Sequence, residues 1–234
     1  MLTNDCVIVT GAAGNLGSEV ARTLARQGAQ VVCVDREARR FEVDGDGIDP
    51  DRLHWITGLD LSDRAAATEM VAQAVARFGR ITGLVNCVGG FATGRLMAEA
   101  ADQWDQMMTL NAKVAMVTTV AVLPALMEAG SGRIVHIAAA PGNKAAAGQA
   151  AYAASKAAVI RLVEVIAAEH RADRITANCI LPGTIDTKAN RAAMPNAKPD
   201  VWISPASIAE VIAFLISPAG AVVTGAAIPA TGLL

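Results

Sequence analysis

Apolar residues in this chain fall into short continuous runs separated by longer segments in which they recur every three or four positions. Residues 6–9, 30–34, 54–57, 81–87, 133–137, 175–181 and 226–229 read as strands, about seven in all. Residues 16–26, 63–78, 102–129, 151–170 and 205–216 read as helices, with Asp102 expected as the N-cap of the longest. Strands that are apolar throughout, each followed by a helix, predict an α/β fold: a doubly wound parallel sheet of the Rossmann type with helices on both faces. Pro229 suits the end of the last strand or a sheet edge. Residues 187–204 break the rhythm with Asn190, Pro195, Asn196 and Pro199. They read as a loop holding at most a short helix, and loops at the carboxyl ends of such strands usually build the substrate site.

Composition narrows the classes further. The 234 residues show no linker and no internal repeat, so a single domain over 1–234 is expected, with its substrate loop at about 187–204. The formal net charge is −2 and no basic cluster occurs, which speaks against nucleic acid or a membrane surface as partner. No uninterrupted run of eighteen apolar residues suggests a membrane span. Asn4 and Asp5 interrupt the N-terminal apolar stretch, so no signal peptide is expected. Cys6, Cys33, Cys87 and Cys179 lack metal-ligand spacing and sit in or beside strands, as small core residues of a cytoplasmic protein would. No metal site is expected.

The first strand runs into Val9-Thr-Gly-Ala-Ala-Gly-Asn-Leu-Gly17, which opens the first helix. Gly11, Gly14 and Gly17, with Asn15 and Leu16 between, let backbone amides approach a pyrophosphate at a helix N-terminus. A glycine-rich turn alone is weak evidence; its place between strand and helix strengthens it. Asp35 ends the second strand, eighteen residues beyond Gly17. A carboxylate there accepts hydrogen bonds from ribose hydroxyls and repels a 2′-phosphate, so NAD(H) is expected over NADP(H). Arg36 beside it leaves NADP(H) open.

Tyr152, the chain's one tyrosine, and Lys156 lie four apart on one helical face. An ammonium beside a phenol lowers the phenol's pKa and equips it to exchange a proton with a carbonyl or alcohol oxygen. Such a pair also arises by accident on helix surfaces, and only the glycine loop gives it weight. His54, His136 and His170 are scattered and none is assigned to catalysis. Met97, Met107, Met108 and Met116 read as packing residues.

With these motifs in order, the chain resembles the short-chain dehydrogenase/reductase family over nearly its whole length. Thr10-Gly11 through Gly17 resembles that family's cofactor loop, Asp60-Leu61 its adenine-contacting pair, and Asn86-Cys-Val-Gly89 its Asn-Asn-Ala-Gly stretch. Asn111 matches the Asn that supports a water-linked proton relay to the lysine, Tyr152 and Lys156 match the active pair, and Pro182-Gly-Thr-Ile-Asp-Thr187 matches the segment flanking the nicotinamide. The resemblance implies a nicotinamide-dependent oxidoreductase with catalytic Tyr152, Lys156 and Asn111. It further implies nucleotide contacts at Gly11, Gly14, Asn15, Leu16, Gly17, Asp35, Arg36, Asp60, Leu61, Asn86, Gly89, Tyr152, Lys156, Pro182, Ile185 and Thr187.

Three departures matter. The middle glycine is Gly14, where the common form has it at position 15; this spacing is similar to that of an extended branch whose added C-terminal region is missing here. Cys87-Val88 replaces Asn-Ala, a packing change. The family's catalytic Ser falls on Ala139, between two further alanines. Ser155 belongs to the Tyr-Lys turn and is expected to face away. Loss of one oxyanion-stabilising donor costs about 3–4 kcal/mol in other enzymes.

One branch of the family, the quinonoid dihydropteridine reductases, works without that Ser on an electron-poor ring. Val88-Gly-Gly-Phe91, Leu181 through Thr187, Asn190-Arg191, Ala193-Met-Pro195 and Trp202 resemble its sequence. Three readings follow: an NAD(H)-dependent reductase of a pterin-like or quinonoid substrate; an ordinary carbonyl or alcohol oxidoreductase in which Asn143 or Lys144 replaces the Ser; and an inactive nucleotide-binding sensor or scaffold. Phe91, Ala139, Asn143, Met194 and Trp202 are the candidate residues around a small-molecule substrate, with core burial the alternative for Phe91, Met194 and Trp202. The helix after Tyr152 is apolar on more than one face, which predicts one face on the sheet and another on a second copy in a homo-oligomer, a dimer or tetramer as the family commonly forms.

Overall fold

The computed structural model describes residues 1–43, 45–97 and 100–232. In chain order the elements are β1 (Cys6–Thr10), α1 (Asn15–Arg26), β2 (Gln30–Asp35), β3 (Leu53–Thr57), α2 (Arg64–Phe78), β4 (Gly83–Asn86), α3 (Ala100–Met107), α4 (Val114–Glu128), β5 (Gly132–Ile137), α5 (Ala140–Asn143), α6 (Ala150–Glu169), β6 (Ile175–Pro182), α7 (Lys188–Ala193), α8 (Pro205–Ile216) and β7 (Ala227–Ala230). The seven strands form one parallel sheet in the order β3-β2-β1-β4-β5-β6-β7.

Alternation along each strand sorts the core into two layers. Ile8, Val32, Val34, Leu84, Ile134 and Cys179 face α2, α4 and α6. Val7, Val9, Val31, Val85, Val135 and Ile180 face α1 and α8. Both sides of β1, β4, β5 and β6 are therefore covered, which is why these strands read as unbroken apolar runs. Strand order reverses between β1 and β4, and the loops leaving their carboxyl ends frame a crevice at that switch point.

Helix boundaries follow local chemistry. Asp63 caps α2 by accepting from the amides of Ala65 and Ala66, and Gly79, at φ 80°, ends it in a left-handed turn. The expectation that Asp102 is an N-cap is corrected: α3 begins at Ala100, and Asp102 lies within its first turn, where a carboxylate still favours the helix N-terminus. The long helix is also not uniform. Residues Met108–Lys113 are π-helical between α3 and α4, and the amide of Val114 bonds to the carbonyl of Thr109. Residues 100–128 together are long and apolar enough to cross a bilayer by length and composition alone. In the fold, Val114, Ala115, Val117, Val122 and Leu126 of this stretch are buried in the core facing the sheet.

The 187–204 segment holds α7 and a 3-10 turn at Pro199–Val201. It is tied back to the fold by a bridge between Ile185 and Ile203 and by an ion pair between Asp186 and Arg191.

Candidate active site

The crevice begins at the loop between β1 and α1. Gly11 has φ +66°, and a Cβ there would lie 3.1 Å from the backbone of Cys87 and Val88. A Cβ on Gly17 would lie 2.1 Å from the carbonyl oxygen of Gly11, so the helix starts against its own loop with room for no side chain. Gly14 caps α1 without a side-chain hydrogen bond, and the first turn carries no acidic residue. The amides of Asn15, Leu16 and Gly17 thus stand at a helix N-terminus whose own first turn adds no carboxylate, a cradle suited to a pyrophosphate.

Beside it lies a cavity of about 270 Å³, walled by the glycine loop, the Asp35–Arg39 segment, Leu59 to Leu61, and Cys87 to Gly89. Asp35 Oδ2 accepts from the amide of Ala13 at 2.9 Å, and Oδ1 accepts from the amide of Glu37 at 3.0 Å. Each oxygen keeps further lone-pair capacity for a ribose hydroxyl. Arg36 lines the same cavity, and Arg39, which motif reading missed, donates to the carbonyl of Ala13. The signal for Arg39 was the cluster Arg36, Arg39, Arg40 just after the acidic strand end. The amide of Ser62 donates to Asp60 and holds its carboxyl below the usual carboxylate range. Leu61 is buried at the cavity wall. Asn86 is buried too, in a short hydrogen bond from the hydroxyl of Thr10, and so joins β4 to β1 beneath the crevice.

Tyr152 and Lys156 stand on the first turns of α6. Lys156 is 4% exposed, and its Nζ donates to the carbonyl of Ile137 at 2.8 Å. Burial lowers its pKa to about 8. A Cβ built on Gly89 would lie 3.0 Å from that Nζ and 2.8 Å from Asn111 Oδ1, so the segment after β4 passes directly over the lysine. The Tyr152 ring centre is 6.0 Å from Nζ. Here an expectation is corrected: the phenol is not lowered by its lysine but pushed up to about 12, because burial disfavours the phenolate and the ammonium turns to Ile137 O.

Asn111 sits in the π-helical segment and is 1% exposed. Its Oδ1 accepts from the amide of Gly90 at 2.9 Å; its Nδ2 donates to the carbonyl of Gly90 at 3.2 Å and to Ser155 Oγ at 2.9 Å. Ser155 is fully buried and donates its hydroxyl proton to the carbonyl of Tyr152 at 2.8 Å. His136 is fully buried on β5, with Nε2 on the hydroxyl of Thr119 at 3.0 Å.

The residues expected near a substrate are spread over three walls. The ring of Phe91 stands edge-on to Tyr152, centroids 4.8 Å apart, and is 64% exposed. Ala139 is buried at the N-cap of α5; Asn143 and Lys144 after it are exposed. Met194 is exposed at the end of α7, and Trp202 is half-buried. Pro182 is buried at the end of β6, Ile185 pairs with Ile203, and Thr187 caps α7 by accepting from the amide of Asn190.

Residues 5–198 match the family model for short chain dehydrogenases. The chain is 32% identical to an acetoacetyl-CoA reductase of Acinetobacter sp. (strain RA3849) over 240 residues, covering 96% of this chain and 95% of that one. It is 35% identical over 188 residues to the (2S)-[(R)-hydroxy(phenyl)methyl]succinyl-CoA dehydrogenase subunit BbsD of Thauera aromatica, covering 80% of this chain and 75% of the relative. Among solved structures it superimposes on levodione reductase with a TM-score of 0.89 at 26% identity, covering 99% of this chain and 98% of that one. Fold, switch-point crevice and sequence agree: the chain belongs to the short-chain dehydrogenase/reductase family of NAD(P)-dependent oxidoreductases.

Proposed function

We propose that this chain moves a hydride between a nicotinamide dinucleotide and a small carbonyl, alcohol or quinonoid substrate. Tyr152 exchanges the proton, and no Ser hydroxyl assists. The observation that carries the reading is the buried Lys156 beside Tyr152, directly under Gly89, at the end of a crevice shaped for a nucleotide. The glycine loop, with Asn15 and Leu16, holds the pyrophosphate. Asp35 and Arg36 take the adenosine ribose, Asp60 and Leu61 the adenine, Tyr152 and Lys156 the second ribose. Asn86 and Gly89 form the floor between them, and Pro182, Ile185 and Thr187 flank the nicotinamide. When bound, the nicotinamide supplies or accepts the hydride.

The protein's own part is the proton. A phenol pushed up to about 12 is fully protonated at neutral pH, which suits the reductive direction, where Tyr152 donates to the developing alkoxide. Asn111 holds the loop over Lys156 and supports the relay that returns the proton. We assign NAD(H) as the preferred cofactor because Asp35 faces the cavity. NADP(H) is accepted more weakly, since Arg36 and Arg39 line the same wall. Calorimetric titration with NADH and NADPH tests this; tighter NADPH binding would reverse the assignment.

The alanines at 138–140 and the aromatic edge of Phe91 on Tyr152 favour a flat, electron-poor ring, including a dihydropteridine-type one, over a simple ketone. The acyl-CoA names of two relatives favour a thioester instead. Turnover with NADH on quinonoid dihydropterin, levodione, acetoacetyl-CoA and simple ketones decides between them, and turnover on none would favour an inactive nucleotide-binding sensor. We place the enzyme in the cytoplasm. Met116 and Val120 of α4 and Val165 of α6 are about half exposed on the side away from the sheet. We assign this face to a second copy in a dimer or tetramer.

A further inference from the structure

We propose that Ser155 is a positioning residue: acting through Asn111, it fixes the Gly89–Gly90 segment against the Tyr152–Lys156 face of α6. The inference rests on Tyr152 and Lys156 being the catalytic pair. Its geometry is a chain of buried hydrogen bonds joining three parts of the fold. The backbone of Gly90 clamps the Asn111 amide on both sides, amide to Oδ1 at 2.9 Å and carbonyl to Nδ2 at 3.2 Å. A flipped Asn111 would break both, so the amide orientation is set. The second hydrogen of Nδ2 then points to Ser155 Oγ at 2.9 Å. Ser155 has one hydroxyl proton, and it goes to the carbonyl of Tyr152 at 2.8 Å.

Two consequences follow. The one proton of the Ser155 hydroxyl is committed to Tyr152 O, so it cannot donate in place of the hydroxyl missing at Ala139. The same commitment ties the π-helical segment and the loop after β4 to the turn that carries the catalytic pair. Without Oγ, a buried N–H of Asn111 is left short of a partner, keeping only a long contact to Met107 Sδ at 3.7 Å. Gly90 is held by Asn111 on both its polar groups, so Asn111 and the Gly89–Gly90 wall relax together. That wall lies directly against Lys156: a single added carbon on Gly89 would already stand 3.0 Å from Nζ.

Lys156 is therefore the reporter. Around it stand Cys87 after β4, His136 on β5, Cys179 on β6 and Tyr152 on its own helix. Burial keeps both thiols and the phenol protonated and His136 uncharged near neutral pH, so only Lys156 titrates between pH 7 and 10 in this cluster. It is also the one buried lysine of five; Lys113, Lys144, Lys188 and Lys198 are exposed.

The test uses the full chain labelled with ε-15N-lysine, titrated by NMR as wild type and as Ser155→Ala. The expected result is a Lys156 pKa that rises from near 8 by about one unit, back toward its solvated value. Steady-state kinetics on the best substrate of the panel should show kcat reduced about tenfold, equivalent to about 1.4 kcal/mol, with KM and NADH affinity within threefold. Ser155→Cys, which keeps a weak donor and acceptor, should lie between the two proteins and carries both readouts if Ser155→Ala does not fold. A lower melting temperature with unchanged lysine titration and unchanged kcat would mean that Ser155 only packs, and would overturn the proposal. If Tyr152→Phe retains turnover, the catalytic reading fails by itself, and the lysine titration still decides whether Ser155 sets this wall.

Discussion

Lys156→Met should abolish turnover and remove a pH dependence from stability. Lys156 is 4% exposed, and its pKa falls from 10.5 to about 8 on folding. A lysine with a depressed folded pKa binds fewer protons folded than unfolded between those two values, so folding is helped as pH rises through that window and is penalised below it. The shift of about 2.5 units corresponds to about 3 kcal/mol of penalty at pH 7, of which somewhat more than 1 kcal/mol is relieved by pH 9. Methionine has similar length and no charge. It forfeits the bond to Ile137 O, worth about 1.5–3 kcal/mol while the donor is charged, and the weakening of that bond as Lys156 loses its proton is already contained in the folded pKa. Urea unfolding of both proteins at pH 7 and pH 9, at one protein concentration, isolates the effect. Cys87, Cys179 and Tyr152 stay protonated in the folded state of either protein up to pH 9, because burial raises all three and loss of the Lys156 charge raises the thiols further, so they cancel in the difference. Wild type should gain about 1 kcal/mol on the variant between the two pH values. An offset between the two proteins that stays constant with pH would refute the claim that Lys156 is buried as a strained cation.

Tyr152→Phe should lower kcat at least about a thousandfold, within the range general acid–base catalysis contributes, while calorimetry finds NADH affinity within threefold of wild type. Gly17→Ala forces a Cβ to 2.1 Å from Gly11 O, so NADH affinity should fall by about tenfold or more, read by fluorescence titration. Asp35→Ala should narrow the proposed preference for NADH over NADPH by removing a carboxylate that lines the cavity, as paired titrations would show. Ala139→Ser should leave turnover of a quinonoid substrate unchanged and raise weak activity on simple ketones; a wild type that already reduces ketones well would remove the alanine triplet as an argument.

Strands were legible because burial on both faces writes a continuous apolar run, and six of the seven lie within a residue of the expected ends. The β4 run was read too long: Ile81 and Thr82 are apolar or β-branched like a strand, yet pairing starts at Gly83. The π-helical segment was not legible, because a register change in backbone bonding selects no residue type. Asp102 misled for a related reason, since a carboxylate suits both the cap and the first turn. The sequence picked out Gly11, Gly14, Asp35, Arg36, Asp60, Leu61 and Gly89, which the fold gathers around one crevice, but the electrostatics of the site were not legible. A spacing of four told that Tyr152 and Lys156 share a face, but the depth of burial, which raises one pKa and lowers the other, depends on Gly89 and Ile137 from distant parts of the chain. Arg39 carried no assignment from the sequence, because its place at the crevice depends on the fold, where it donates to the carbonyl of Ala13.

The last strand of the sheet limits what another chain can do along that edge. β7 is only four residues long and carries Pro229, which has no N–H to offer a neighbouring chain. An open parallel edge of this kind would otherwise be a template for strand addition and, at high concentration, for aggregation. The proline interrupts the row of donors on that edge, and the strand is too short to seat a partner around the gap. Strand addition at the β7 edge is thereby discouraged, which matters most at the high concentrations where such edges aggregate.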